Sequence, residues 1–277
     1  MSNKYSGLPL FVMIDQEGGV VTRVKVGTSL PSALALAQTR HPQFVRSYSM
    51  TMGLLLNRLG INMNLAPVLD VSDPHSASFI GSRSFGEFPD DVSQLGAAFA
   101  LGQWDAGVVP TAKHFPGHGC LRADSHKETP KKLYTLEELL ERDVKPFKSF
   151  SDLDIPTAMM LGHVSFPKID PTGFPAAFSK FLNSDLLRKH LHYKGLAITD
   201  DLEMAGAEKV GSISERTIQA VLAGNDMIMV AWSGQRQLRA YNTLLKAVKS
   251  GRISEERLNE SLQRILRAKY LAQKKAQ

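Results

Sequence analysis

The sequence holds a single cysteine, Cys120, so neither an internal disulfide nor a multi-thiolate metal site is open to it, and reducing surroundings are permitted. It lacks a Pro/Ser/Gly-rich tract, a repeat and a like-charge block, so nothing marks a linker, and 277 residues with 43% hydrophobic content are expected as a single domain over 1–277. No run reaches the length of a membrane span, and the apolar stretch from Leu8 to Ile14 ends in Asp15-Gln16-Glu17 without a small-residue cleavage site. No Gly-x-Gly-x-x-Gly and no Walker sequence occurs, which removes the usual support for dinucleotide and nucleotide binding. There is no Gly-x-Ser-x-Gly elbow either, and Gly162-His163-Val164-Ser165 lacks its flanking glycines. The net charge of +6 comes from scattered side chains apart from Lys127, Lys131, Lys132 and the tail pair Lys274-Lys275. That is a solvated basic face with a mild bias toward anionic ligands, not a nucleic-acid footprint.

What is present is alternation. Short apolar, β-rich runs recur at Leu10 to Ile14, Ile61 to Leu65, Val108 to Ala112, Thr157 to Leu161, Leu196 to Thr199 and Met227 to Val230, separated by helical patterns. Strand and helix in turn predict a parallel sheet of the α/β class. One intervening helix is bounded by a capping box at Ser212 and Glu215 and by Gly224 as its stop; another starts near Ser254 and is expected to place Leu258, Leu262, Ile265 and Leu266 on one face. Polar groups follow nearly every strand: Asp15-Gln16-Glu17, Asn64 and Asp70, Lys113-His114, His163, Asp200-Asp201, and Trp232-Ser233. In a barrel that end is one rim, and residues distant in sequence converge on one site.

The densest chemistry lies between Lys113 and His126. Hydrolysis of a glycoside with retention needs a carboxylate nucleophile and a proton donor, roughly 5 to 5.5 Å apart when both are carboxyls. Asp200 and Asp201 offer the carboxylate, and because strand neighbours point to opposite faces only one of them is able to face the centre. Both are equally suited to capping a following helix. In Asp124-Ser125-His126, an Asp accepting a hydrogen bond from an imidazole would fix its tautomer for proton transfer, while a plain loop turn is the alternative. A metal held by His114, His118, Asp124 and His126 is a third possibility, opposed by the ammonium of Lys113 and by the absence of a His-Glu-x-x-His helix.

Taken together, Ile14-Asp15-Gln16-Glu17-Gly18-Gly19, Leu65 to Val71, Gly81-Ser82-Arg83-Ser84-Phe85-Gly86, Lys113 to Gly119, Asp124-Ser125-His126 and Thr199 to Met204 closely resemble glycoside hydrolase family three, in particular its bacterial β-N-acetylglucosaminidases. The resemblance covers nearly the whole chain in order. It implies a TIM-type (β/α) barrel and a retaining, exo-acting β-N-acetylglucosaminidase that needs no cofactor and no metal. Asp200 would be the nucleophile, with Asp201 in support, and His126, oriented by Asp124, the general acid/base. Asp15, Arg83, Lys113 and His114 would bind the N-acetylglucosamine ring, and His118 would order the loop. The implied substrates are N-acetylglucosamine-containing muropeptides and anhydro-muropeptides, in cytoplasmic cell-wall recycling.

Two departures from the family pattern stand out. Val20 occupies a place where Arg is common, and only about ten residues precede the Asp-Gln-Glu strand, where the family has two opening strands. A barrel lacking those strands is expected to leave unpaired edges. Such edges would offer a surface for self-association, or the chain would be a silent sugar-binding scaffold.

Overall fold

The computed structural model describes residues 7–25, 27, 29–73, 78–119, 121, 125 and 129–276. Five strands form one parallel sheet in sequence order: β1 (Met13–Ile14), β2 (Met63–Asn64), β3 (Val109–Phe115), β4 (Ala158–Leu161) and β5 (Leu196–Thr199). The sixth apolar run lies beside β5. Met227 bridges Ile198 in parallel, Met227 N–H donates to Ala197 O at 3.0 Å and Thr199 N–H to Met227 O at 3.2 Å. Met229 N–H then donates to the Thr199 hydroxyl at 3.0 Å, so a side chain takes the place of a ladder carbonyl and regular strand structure stops there. Among the described residues no further strand pairs with β1 or with this sixth segment.

Alternation along the strands gives the sheet its two faces. Met159, Leu161 and Ala197 join the large cluster formed with the surrounding helices. Ala158, Met160, Leu196 and Ile198 face the other way, with Met63, Leu65 and Val109. Met13 from one edge and Met227 and Met229 from the other pack against the same Leu65, Met160 and Ile198, so the sheet is curled and these side chains fill its concave side. The architecture is the α/β, TIM-like type expected, in the form of a curled open sheet.

Helices cover the convex side, except the last, which packs across the strand ends. The first pair after α1 (Ala33–Ala37) are α2 (Pro42–Arg58) and α3 (Pro89–Asp105), both opened by proline, which fits the first helical turn because its missing N–H has no intrahelical partner there. They cross closely at two glycines. A Cβ on Gly102 would lie 2.2 Å from Arg46 O, and one on Gly53 would lie 2.7 Å from the Ala106 Cβ. The chain continues through α4 (Lys145–Ser151) and a π-helical segment (Phe181–His190) to α5 (Ile213–Ala223), whose Ser212–Glu215 capping box and Gly224 terminus form as expected. After α6 (Gly234–Lys249), α7 (Glu255–Ala276) closes the described chain.

The inward face of α7 differs from the expected one. Ser261, Ala268 and Ala272 are buried and Ile265 packs against the strands, whereas Leu262 and Leu266 are 41% and 46% exposed. Small residues let the helix approach the strand ends, and that contact overrides the leucine periodicity. Lys132, expected on a solvated face, is instead buried with Asp143, 3.1 Å away. Among the described residues no helix is long and apolar enough to cross a membrane.

Candidate active site

The C-terminal ends of the strands bring the polar residues together. In β3, Val109, Thr111 and Lys113 share one face, and Lys113 pairs in register with Met160, which pairs with Ile198. Lys113 therefore stands above the concave apolar floor, and its ammonium meets Asp15 Oδ1 at 2.6 Å and Glu17 Oε1 at 2.7 Å. The β3–β4 ladder shifts register between Lys113 and Phe115. Such a bulge breaks the simple alternation of faces, which lets adjacent Lys113 and His114 serve the same site.

Glu17 is the hub of this cluster. Its carboxylate accepts two hydrogen bonds from Arg83, from Nε and a terminal nitrogen, each at 2.8 Å. Burial alone would raise its pKa, but Lys113 and Arg83 outweigh that and hold it at about 2. The Asp15 side chain is 36% exposed, against 3% for Lys113, so Asp15 is the member of this network open to a ligand. Arg83 also lies over the Phe79 ring, 4.9 Å from its centre.

Asp70 organises the second half. It is fully buried; its Oδ2 lies 2.7 Å from His114 Nδ1, and its Oδ1 accepts the His118 backbone N–H at 2.5 Å. Burial opposes its ionisation, yet His114 and His118 hold its carboxyl well below the usual range. A carboxylate only accepts, so His114 Nδ1 carries a proton and Nε2 remains for other work. Burial pushes the His118 imidazole down to about 4, against the pull of Asp70. The His118 contact with Asp70 is made by its main chain, not by its imidazole.

Asp200 follows β5. Continuing the alternation from Ile198 sets it on the concave side, half-buried. Burial would raise its pKa, but His114, His163, the Asp201 N–H donating to Oδ1 at 2.8 Å, and Lys113 together hold it low. Asp201 has a different task. Its Oδ1 accepts the backbone N–H groups of Glu203 (3.1 Å) and Ala231 (3.2 Å), and burial pushes its carboxyl up. His163, stacked on Phe178 with ring centres 5.5 Å apart, has Nε2 2.9 Å from the Asp201 carbonyl. A carbonyl cannot donate, so Nε2 is the protonated nitrogen, and burial lowers the pKa of this imidazole.

Of the expected residues, Asp15, Arg83, Lys113, His114 and Asp200 are thus assembled at one end of the sheet. Asp124 and His126 lie outside the described residues, as do Cys120 and Lys127. Ser125 is described: it is buried, and its carbonyl accepts the Gly206 N–H at 2.9 Å. Thr129 Oγ1 donates to Gly206 O, also at 2.9 Å. Both residues are tied to the segment that follows Asp200. Glu17 and Asp70 went unassigned in the sequence, although both sit in runs that follow strands; their partners are 66 and 44 positions away. Of the residues considered for a metal, His114 is joined to Asp70 and the His118 backbone to the same carboxylate. A cavity of about 620 Å³ lies at the opposite end of β4 and β5, lined by residues such as Thr157, Lys194 and Arg267, and has no share in this cluster.

Comparison with known proteins accords with this arrangement. The family model described as the glycosyl hydrolase family 3 N-terminal domain matches residues 1–268. A beta-hexosaminidase of Idiomarina loihiensis is 39% identical over 228 residues, covering 80% of this chain and 67% of its own. A glycoside hydrolase family 3 beta-N-acetylglucosaminidase from Paenibacillus sp. superposes with a TM-score of 0.91 at 40% identity, over 96% of this chain and 51% of that one. The beta-N-acetylglucosaminidase from Thermotoga maritima gives a TM-score of 0.85 at 30% identity, over 95% and 56% respectively. The chain spans about half the length of these solved relatives. With a family model matched along nearly all of its length, the chain belongs to glycosyl hydrolase family 3 and carries the N-terminal domain of that family.

Proposed function

We propose that the protein is a retaining, exo-acting β-N-acetylglucosaminidase. The observation that carries this reading is Asp200: a half-buried carboxylate on the concave side, kept ionised by His114, His163 and Lys113 despite its burial. Such a group is suited to attack the anomeric carbon, forming a covalent glycosyl-enzyme as the glycosidic bond breaks. The leaving oxygen needs a proton at that moment. His126, oriented by Asp124, supplies it and then takes a proton from the water that attacks the glycosyl-enzyme, so Asp200 is released and the anomeric configuration is retained. The bonds of Ser125 and Thr129 to Gly206 support this role, because they tie one residue before and one after His126 in sequence to the segment after Asp200.

Asp15, Arg83, Lys113 and His114 bind the terminal sugar. Asp15 offers accepting oxygens to hydroxyl groups, and the fixed cations beside it hold the geometry before substrate arrives. The names of the relatives favour N-acetylglucosamine as that sugar. Peptidoglycan fragments in cytoplasmic cell-wall recycling are the substrate class we assign, because their lactyl and peptide carboxylates suit a chain of net charge +6.

The purified protein should release nitrophenol from 4-nitrophenyl N-acetyl-β-glucosaminide. Replacing His126 with Gly should lower kcat/KM on N,N′-diacetylchitobiose by about 10²-fold or more, the range for general acid catalysis, and far less on the activated aryl glycoside. Equal losses on both substrates would remove His126 from the acid role.

A further inference from the structure

We propose that Trp232 is the stacking platform for the aglycone sugar, the pyranose ring that leaves when the bond is cut. This rests on the glycosidase reading above. Trp232 is 83% exposed. A singly exposed aromatic is common and carries nothing by itself. What sets this one apart is how firmly its backbone is held while its ring has so little to pack on.

Four consecutive positions are fixed by side chains. Val230 O accepts from Gln237 Nε2 at 3.0 Å, Ala231 N–H donates to Asp201 Oδ1 at 3.2 Å, and the Trp232 and Ser233 N–H groups both donate to Glu203 Oε2, at 2.7 and 3.1 Å. The Glu203 side chain is only 4% exposed, and its other oxygen faces Arg236 at 3.4 Å. Charge-assisted bonds to a buried carboxylate are among the stronger of their kind. The segment is therefore rigid where it presents a large apolar ring to water.

Its position selects the ligand. The segment follows the sixth apolar run, which bridges β5 in parallel, so Trp232 stands at the same end of the sheet as Asp200. Asp201 and Glu203, which hold it, are one and three residues beyond Asp200 in the chain. Gly206, a little further on, holds Ser125 and Thr129, the residues flanking the assigned acid His126. The segment 201–206 thus anchors Ser125, Thr129 and the Trp232 loop. The group beside the acid is the leaving oxygen, and the ring attached to that oxygen is the aglycone. The terminal sugar, by contrast, is held by Asp15 and Lys113 on the β1 and β3 side. An indole face suits the apolar C–H face of a pyranose, and fixing it beforehand lowers the ordering cost of binding.

The test compares two substrates of the intact chain: N,N′-diacetylchitobiose, with a sugar aglycone, and N-acetyl-β-glucosaminyl fluoride, with none. For Trp232→Ala the ratio of kcat/KM on the disaccharide to that on the fluoride should fall about tenfold, mainly through KM, and Trp232→Phe should recover most of it. A ratio within twofold of the parent would overturn the proposal, as would a loss shared equally by both substrates. A second measurement is independent of turnover. The chain has two tryptophans, so Trp104→Phe leaves Trp232 as the sole indole emitter. Its fluorescence should change saturably with N,N′-diacetylchitobiose and not with N-acetylglucosamine; no change with either ligand overturns the platform. Should neither substrate be hydrolysed, the glycosidase reading fails and this titration still decides the binding role.

Discussion

Asp200→Ala is expected to lower kcat/KM by about 10³-fold or more on every N-acetylglucosaminide, because the covalent step loses its nucleophile and, among the described residues, the neighbouring carboxylates are engaged elsewhere. Asp201 is adjacent in sequence, but its Oδ1 is engaged by the Glu203 and Ala231 N–H groups. Asp15 is tied to Lys113, and Asp70 to His114 and His118. The fold should tolerate the change, since Lys113 keeps Asp15 and Glu17 as partners and Arg83 keeps Glu17. The space vacated by the carboxylate should admit a small nucleophile. Added azide should restore turnover and give a glycosyl azide of inverted configuration, because one displacement has replaced two. Activity of Asp200→Ala within tenfold of the parent would remove Asp200 from the covalent step.

Glu17→Ala should be strongly destabilising, by about 3–5 kcal/mol in urea unfolding. It strands two cations: the Arg83 side chain is 10% exposed and that of Lys113 only 3%. Lys113 would retain Asp15, which is itself more open to water, and Arg83 would lose both of its hydrogen bonds to carboxylate. Activity should fall as well, because the ammonium would be less firmly held above the site. The pH dependence has a definite sign. The folded-state pKa of Glu17 is about 2, below its ordinary 4.5, so its contribution is fully present above about pH 5. It is lost as pH falls from 4.5 toward 2. Glu17→Ala and the parent should therefore converge in stability on acidification through that window. A difference below about 1 kcal/mol at neutral pH would show that the cluster is not the support described here.

How much of this was legible in the sequence follows from the range of the interactions. The strands announced themselves because each is a local apolar run ending in polar residues. The Ser212–Glu215 box was equally local. The inner face of α7 was not, because leucine spacing does not report that Ser261, Ala268 and Ala272 allow close approach to the strand ends. Lys132 illustrates the same limit: its burial depends on Asp143, eleven positions away and on another element. Glu17 and Asp70 are the instructive omissions in the site. Lys113, His114 and Arg83 stood out as candidate ligand-binding groups, yet each is held by a buried carboxylate that becomes visible only once the sheet has brought distant strand ends together. Trp232 was marked by its place after the sixth apolar run, but the backbone clamp that gives it meaning comes from Glu203.

The most direct measurement traps the intermediate. A 5-fluoro analogue of N-acetyl-β-glucosaminyl fluoride, whose glycosylation step outruns its hydrolysis, should raise the intact mass of the protein by one fluoro-N-acetylglucosaminyl unit. Proteolysis and fragmentation of the adduct should locate it on Asp200. An adduct on Asp201 or Asp15, or turnover of the analogue with no covalent species formed, would contradict the assignment of Asp200 as the nucleophile.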